Sequence, residues 1–270
     1  MKTFKPIFFL LLLFSVSNVF AQRQKPALQT ELDEITARGK MLYEYDVAAR
    51  HSTDAVLALS PPEDSITGYV ARKTDKGWIV VYGRLSEKRD KYLIAYETVQ
   101  SAKPEEFKVT KIDKPKEDMG FYLKAAKALE TAKADFKGTN RPYNFAVLPT
   151  KSDEFFVYIL PAQTDSNVFP LGGDTRYTIS KDGAKILKKH QMHVSIIEFA
   201  VPPDVEKIET GYHTAILDDA PEDSDVFHVL TRSPKISELV VTKKFVYQIA
   251  ADGRIKYLMT TDAFKKVGKQ

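Results

Sequence analysis

The sequence predicts an α+β protein in which antiparallel β meanders pack with a few helices. Two stretches repeat apolar residues at the 3.6-residue period of an amphipathic helix. Short runs rich in β-branched and aromatic residues alternate with turn sequences, which is typical of strands. Asp182-Gly183 and Asp252-Gly253 each separate two such runs, and Asp-Gly accepts the positive φ angles of a tight hairpin turn. These pairs therefore predict hairpins and antiparallel pairing.

The first part of the chain, residues 22–140, is predicted to hold a helix, a meander and a second helix. Its elements are, in order, a helix from Gln29 to about Thr53, strands at 66–71, 78–85 and 92–99, an edge strand at 107–112 and a helix at 118–136. Gly138 is expected to end the second helix, since glycine is favoured just after a helix C-terminus.

The second part, residues 141–270, is predicted to be β-rich. Its strands are expected at 144–148, 155–161, 175–180, 185–190, 193–199, 209–217, 240–249 and 254–259, with a short helix at 224–231. Gly172-Gly173 predicts a sharp turn, and the acidic segment 218–225 predicts a solvated loop. The two parts can also form one continuous domain.

Residues 1–21 are predicted to be a cleavable secretory signal peptide. Lys2 and Lys5 form a basic start, residues 8–14 are apolar, and Val19-Phe20-Ala21 offers a cleavage site. The apolar run is shorter than the ~20 residues that a spanning helix needs, so we expect no membrane span after cleavage. We therefore expect an exported bacterial protein, either periplasmic or secreted.

Composition limits the function classes that remain. The chain has 40 Lys and Arg against 36 Asp and Glu, a net charge of +4, and the two signs are interspersed. No basic run stands out, so we expect no nucleic-acid partner. The chain has no cysteine, which excludes disulfides and cysteine nucleophiles.

One segment near the C-terminus carries a motif. His213 ends a predicted strand, Pro221 and Glu222 follow in a loop, and Asp225 lies at the start of the predicted helix. This order resembles the JAB/MPN (JAMM) metalloprotease-like motif, in which an H-x-H pair, a P-S-x-x-D segment and an upstream Glu assemble a zinc site. Ala215 stands where the motif has its second histidine, and Glu222 stands where it has serine.

The resemblance implies a JAB/MPN-like C-terminal region and a set of candidate site residues. His213 and Asp225 match two of the three zinc ligands. His228 shares a helix face with Asp225, so His213, Asp225 and His228 are the candidate metal ligands. His193 is a second candidate for the missing ligand. Glu154, which precedes a strand upstream, is the candidate catalytic base.

Ala215 decides between the functions that the resemblance implies. Because one zinc ligand is missing, we expect first a non-catalytic binding or scaffold module of the bacterial envelope, without a cofactor. Its partner would be an envelope protein or peptide. One alternative is a zinc-dependent JAMM-like peptidase or hydrolase with a rearranged ligand set. A second alternative is a periplasmic small-ligand binder, since a pocket leaves little trace in one sequence.

Overall fold

The computed structural model describes residues 25–200 and 208–267, so the predicted signal peptide at residues 1–21 lies outside the described ranges. Within them, antiparallel sheets combine with helices, which confirms the α+β class. None of the described helices has the length and apolar character needed to cross a membrane.

Four α-helices lie in the described ranges. They are α1 (Gln29–Leu57), α2 (Phe121–Asp135), α3 (Asp223–Thr231) and α4 (Thr261–Val267). A single 3-10 turn, Glu63–Ser65, follows α1. Helix α1 extends four residues past its predicted end at Thr53, and α4 forms where no helix was predicted.

The first part of the chain contains one four-stranded antiparallel meander. Its strands are β1 (Gly68–Thr74), β2 (Gly77–Leu85), β3 (Tyr92–Gln100) and β4 (Phe107–Asp118), in the order β1-β2-β3-β4. The predicted edge strand is therefore confirmed as β4, although it is longer than expected.

The first six strands after α2 form two sheets. A four-stranded antiparallel sheet has the order β5-β6-β8-β9, from β5 (Tyr143–Pro149), β6 (Phe155–Pro161), β8 (Thr175–Ile179) and β9 (Ile186–Gln191). Strand β7 (Val168–Gly172) pairs only with β10 (Ile196–Ala200) among the described strands. The Asp182-Gly183 hairpin is confirmed, with Gly183 at φ +77°.

The last sheet departs from the predicted meander. It has the order β11-β12-β13-β14, from β11 (Thr210–Thr214), β12 (Ser237–Val241), β13 (Phe245–Ile249) and β14 (Ile255–Thr260). Strands β11 and β12 are parallel, with α3 in the connection between them. The single strand predicted at 240–249 is wrong, because Thr242 Oγ1 accepts the backbone N–H groups of Lys244 and Phe245 and forms a turn there.

Three hydrophobic clusters form the core, and each one draws residues from both predicted parts of the chain. Helix α1 links two of them, since Leu42 and Tyr45 pack with the first meander while Leu32 and Ile35 pack with α3 and the last sheet. A Cβ on Gly39 would lie 2.5 Å from Val226 Cβ, so glycine allows α1 and α3 to approach closely. This contact fixes the position of α3 in the fold.

Candidate metal centre

Three buried side chains from separate parts of the chain converge on one point. His193 lies between β9 and β10, His213 lies on β11, and Asp225 lies in the first turn of α3. They are 8%, 4% and 1% exposed. One ligand atom from each lies within 4.8 Å of the other two. The group formed by His193, His213 and Asp225 is called the ligand group below.

The atoms that face one another in the ligand group lack hydrogen bonds. Asp225 Oδ1 lies 3.1 Å from His193 Nε2 and 3.1 Å from His213 Nε2. Both contacts are ion pairs in distance, yet none of the three atoms makes a hydrogen bond of acceptable geometry. Buried polar atoms are nearly always paired, and a buried atom without a partner costs free energy. Three such atoms that face each other therefore indicate a cation site.

Each histidine is oriented by a second carboxylate on its far side. His193 Nδ1 lies 2.9 Å from Asp174 Oδ1, and His213 Nδ1 lies 3.0 Å from Glu238 Oε1. Asp174 and Glu238 are themselves buried. A carboxylate that accepts the Nδ1 proton leaves Nε2 as the free ligand atom, which is the usual arrangement around metal-binding histidines.

The donor set fits zinc, and so do two of its three ligand–ligand distances. Two imidazole nitrogens and one carboxylate oxygen form a ligand set that catalytic zinc sites use. Metal–ligand bonds of about 2.0–2.1 Å place two ligands of a tetrahedral zinc about 3.3 Å apart. The distances of 3.1 Å from Asp225 Oδ1 to each Nε2 are close to that value.

No protein-family model, no curated protein and no solved structure matches this chain. The resemblance to JAB/MPN proteins therefore rests on the residues of the motif alone.

Local sequence at the start of α3 fixes the Asp225 carboxylate. The backbone N–H of Glu222 donates to Asp225 Oδ2 at 2.7 Å, and the Glu222 side chain accepts from the Asp225 backbone N–H. This reciprocal capping box uses one carboxylate oxygen of Asp225 and leaves Oδ1 for the two histidines.

Asp223 anchors the same helix to the rest of the fold. It is fully buried and accepts from Arg38 Nε at 2.9 Å and from the Tyr158 hydroxyl at 2.8 Å. Arg176 also forms an ion pair with it. Helix α3 is thereby tied to α1, β6 and β8, which sets the position of Asp225.

Gly172 and Gly173 determine where His193 lies. Both have positive φ, at +89° and +61°, which confirms the predicted turn. A Cβ on Gly172 would lie 2.2 Å from the backbone oxygen of Ser195 and 3.1 Å from His193 Cβ. The absence of a side chain at this glycine therefore lets the segment that carries His193 lie close against the end of β7.

Asp225 and the histidines of the ligand group shift one another's pKa values. Burial disfavours a charged imidazole, but Asp174 and Asp225 outweigh it and raise the pKa of His193 well above its usual value. Burial is likewise outweighed at His213, whose pKa is raised to about 9 by Asp225 and Glu238. Burial would raise the pKa of Asp225, yet the two histidines lower it. The negative charge of the carboxylates around the two histidines therefore favours a bound cation, either protons or a metal ion.

The structure brings two of the three predicted metal ligands together. His213 and Asp225 belong to the ligand group, whereas His228 does not. The Nε2 of His228 lies 3.5 Å from Arg232 Nη1, and burial together with Arg232 lowers the pKa of His228 to about 4. His193, the second candidate, supplies the third ligand atom.

The candidate base Glu154 lies away from the ligand group. Glu154 immediately precedes β6, where Phe155 pairs with Ile179 at the far end of β8. Asp174, which contacts His193, adjoins the opposite end of β8. The two ends of β8 are roughly 13 Å apart at about 3.3 Å per residue, so Glu154 lies far from the ligand group. Ala215 is buried in the apolar cluster that includes Val240 and Tyr247.

The acidic segment 218–225 is not the solvated loop that its composition predicted. Asp219, Glu222, Asp223 and Asp225 are all buried. Glu222 lies 2.8 Å from His190 Nε2, and burial raises the pKa of Glu222 to about 7. These carboxylates are buried because each has hydrogen-bond or ion-pair partners from distant elements, which local composition does not reveal.

A small cavity of 120 Å³ adjoins the ligand group. His193 forms part of its wall. The remaining wall comes from Leu171, Gly172, Met192, Val194, Ser195, Ile197, Thr214, Ile216 and Leu217. This space, called the His193 pocket below, is mostly apolar.

Proposed function

We propose that this protein is a zinc-dependent hydrolase of the bacterial envelope, with His193, His213 and Asp225 as the metal ligands. One observation carries the proposal. Three buried ligand atoms converge without hydrogen bonds of their own, and Asp174 and Glu238 orient the two imidazoles from behind. A cation satisfies all three atoms at once.

The number of ligands favours a catalytic role over a structural one. Structural zinc sites are closed by four protein ligands, whereas catalytic sites use three and keep one position open. Among the described residues, the ligand group contains three. The His193 pocket gives that group a neighbouring space.

The chain's own residues hold the site together. Asp225 is held by the capping box, and the histidines are held by their carboxylate partners. When bound at such a site, zinc supplies Lewis-acid chemistry for the hydrolysis of acyl compounds. In the JAB/MPN pattern a histidine stands at the position of Ala215. In the proposed site, His193 supplies the ligand that this histidine would supply.

The first experiment measures metal in the purified full chain. We expect one zinc per chain by elemental analysis, and loss of zinc in His193→Ala, His213→Ala and Asp225→Ala variants. His228→Ala and His51→Ala are the controls, because neither residue belongs to the ligand group. Absence of zinc from the wild-type chain after zinc loading, or iron in its place, would contradict the proposal.

The second experiment tests hydrolysis. The zinc-loaded chain is incubated with labelled casein and a mixed-peptide library, and new termini are detected by mass spectrometry. Cleavage should stop with a chelator, return with zinc and be absent from His193→Ala. Cleavage that persists in His193→Ala would assign the activity to another site or to a contaminant.

A non-catalytic binding or scaffold module is the second candidate. Ala215 at the position of a family ligand and the 1% exposure of Asp225 both favour it. Its partner would be an envelope protein or peptide. Stoichiometric zinc without cleavage of any peptide in the library would favour this candidate over the hydrolase.

The proposed export depends on residues 1–21 and is tested by fractionating cells that express the full chain.

A further inference from the structure

We propose that the His193 pocket receives one aliphatic side chain of a peptide substrate and so determines specificity. This inference rests on the proposed hydrolase function. His193 belongs both to the pocket wall and to the ligand group, so a group that fills the pocket lies directly against a proposed metal ligand.

The size of the pocket limits what can enter it. Its volume is 120 Å³. A dry cavity of about 150 Å³ lined by aliphatic and aromatic side chains holds a benzene molecule, so this pocket suits an aliphatic chain of a few carbons rather than a large aromatic ring. Pockets for whole metabolites are about 300–1,000 Å³, which indicates that only part of the substrate enters here.

The rim of the pocket consists of exposed apolar side chains. Val194, Ile197 and Ile216 are 50%, 46% and 53% exposed. All three line the same pocket. Single exposed apolar residues are ordinary on a protein surface, but a group around a concave space marks a binding site.

The neighbouring backbone favours a peptide as the occupant. Among the described strands, β11 is an outer strand of its four-stranded sheet, and its last residue, Thr214, lines the pocket. Outer strands present unpaired backbone groups to which an extended peptide can add, and pockets for its side chains then give specificity. A peptide along β11 therefore places a side chain at the His193 pocket.

The test uses hydroxamates on the zinc-loaded full chain, since the hydroxamate group binds zinc whether or not the protein cleaves a bond. Acetohydroxamate and 4-methylpentanohydroxamate differ only in aliphatic length. We expect the longer compound to bind at least about ten-fold more tightly by calorimetry, because its additional carbons leave water. A phenylpropanohydroxamate should lose this advantage because the pocket is small.

Substitutions at the rim of the His193 pocket test whether the preference for the longer hydroxamate arises there. Ile216→Trp and Ile197→Trp place a bulky side chain over the pocket and should abolish the preference for the longer hydroxamate, while the zinc content stays unchanged. Leu59→Trp is the control, because Leu59 is 52% exposed and lies outside the pocket wall. In the peptide library, cleavage next to Leu or Val should fall in the rim variants.

The outcomes separate this inference from the proposed function. Equal affinity for the short and long hydroxamates would overturn the inference while the metal site stands. A preference that survives both rim substitutions would also overturn it. If the chain binds zinc but neither hydroxamate, the open coordination position is absent, and the proposed function and this inference fail together.

Discussion

The rings of His193 and His213 lie edge to face, with centroids 5.7 Å apart and an interplanar angle of 70°. Each ring turns its Nε2 toward Asp225 Oδ1 and its Nδ1 toward a separate carboxylate. Two imidazoles in this arrangement share one anionic oxygen. That relationship makes the ligand group sensitive to changes in the residues that hold the rings.

Replacement of the carboxylate behind His193 should weaken zinc binding without removing a ligand. In Asp174→Asn the amide no longer supports the basicity of His193, and we expect zinc affinity to fall by roughly 10- to 100-fold. The affinity is measured by competition with a fluorescent chelator. Asp113→Asn, an exposed position on β4, is the control and should bind zinc as the wild type does. Wild-type affinity in Asp174→Asn would argue against zinc at this site.

A methyl group at Gly172 should disturb the position of His193. Gly172 has φ +89°, and its Cβ would approach the Ser195 backbone oxygen to 2.2 Å. We expect Gly172→Ala to lower the free energy of unfolding by on the order of 1–3 kcal/mol, and also to weaken zinc binding. Gly68→Ala is the control, because no atom lies within 4 Å of a Cβ there. A stability loss with unchanged zinc affinity would show that His193 does not depend on this turn.

The metal-free protein should become less stable between pH 7 and pH 9. The pKa of His213 is raised from 6.5 to about 9, so its stabilising contribution is complete below pH 6.5 and is lost as the pH rises through 9. The expected decrease over this interval is on the order of 2 kcal/mol, measured by urea unfolding. His213→Gln should reduce the slope of this decrease, and His193, whose pKa is also raised, should account for a remaining slope.

Zinc should reverse this dependence. Zinc requires deprotonated imidazoles, so its stabilising effect grows as the pH rises through the same interval. A metal-free stability that rises from pH 7 to pH 9 would contradict the assignment of a protonated His213.

Loss of Asp223 should destabilise the start of α3 severely. Its carboxylate is fully buried and pairs with Arg38 and Arg176. Asp223→Ala leaves these guanidinium groups without their anion, and we expect a loss of about 3–5 kcal/mol. Asp262→Ala, an exposed carboxylate in the first turn of α4, removes a similar helix-dipole contribution and should cost less than about 1 kcal/mol. Equal losses in thermal or urea unfolding would assign the effect to the dipole alone.

Local patterns in the sequence predicted the elements whose structure depends on near neighbours. The Asp252-Gly253 hairpin is confirmed because Gly253 adopts φ +84° within the turn itself. The start of helix α3 was predicted to within one residue, because the residues that cap it are its near neighbours in the chain. The parallel pairing of β11 with β12 was missed, because a parallel pair depends on how α3 packs and not on a turn signal.

The candidate site divides in the same way. The motif around His213 and Asp225 could be found in the sequence, since strand end, loop and helix start follow one another. His228 was a reasonable candidate by helix spacing, but the packing turns it toward Arg232. Asp174 and Glu238 gave no signal, because each meets its histidine 19 and 25 residues away in the chain.

The sequence by itself determined the α+β class, most helices and hairpins, and two residues of the ligand group. Only the tertiary structure decided that His193, and not His228, completes the group. The physical reason is distance along the chain. Helix period and turn chemistry act over a few residues, whereas the convergence of three ligand atoms depends on a close approach at Gly172 and on the anchoring of α3 by Asp223.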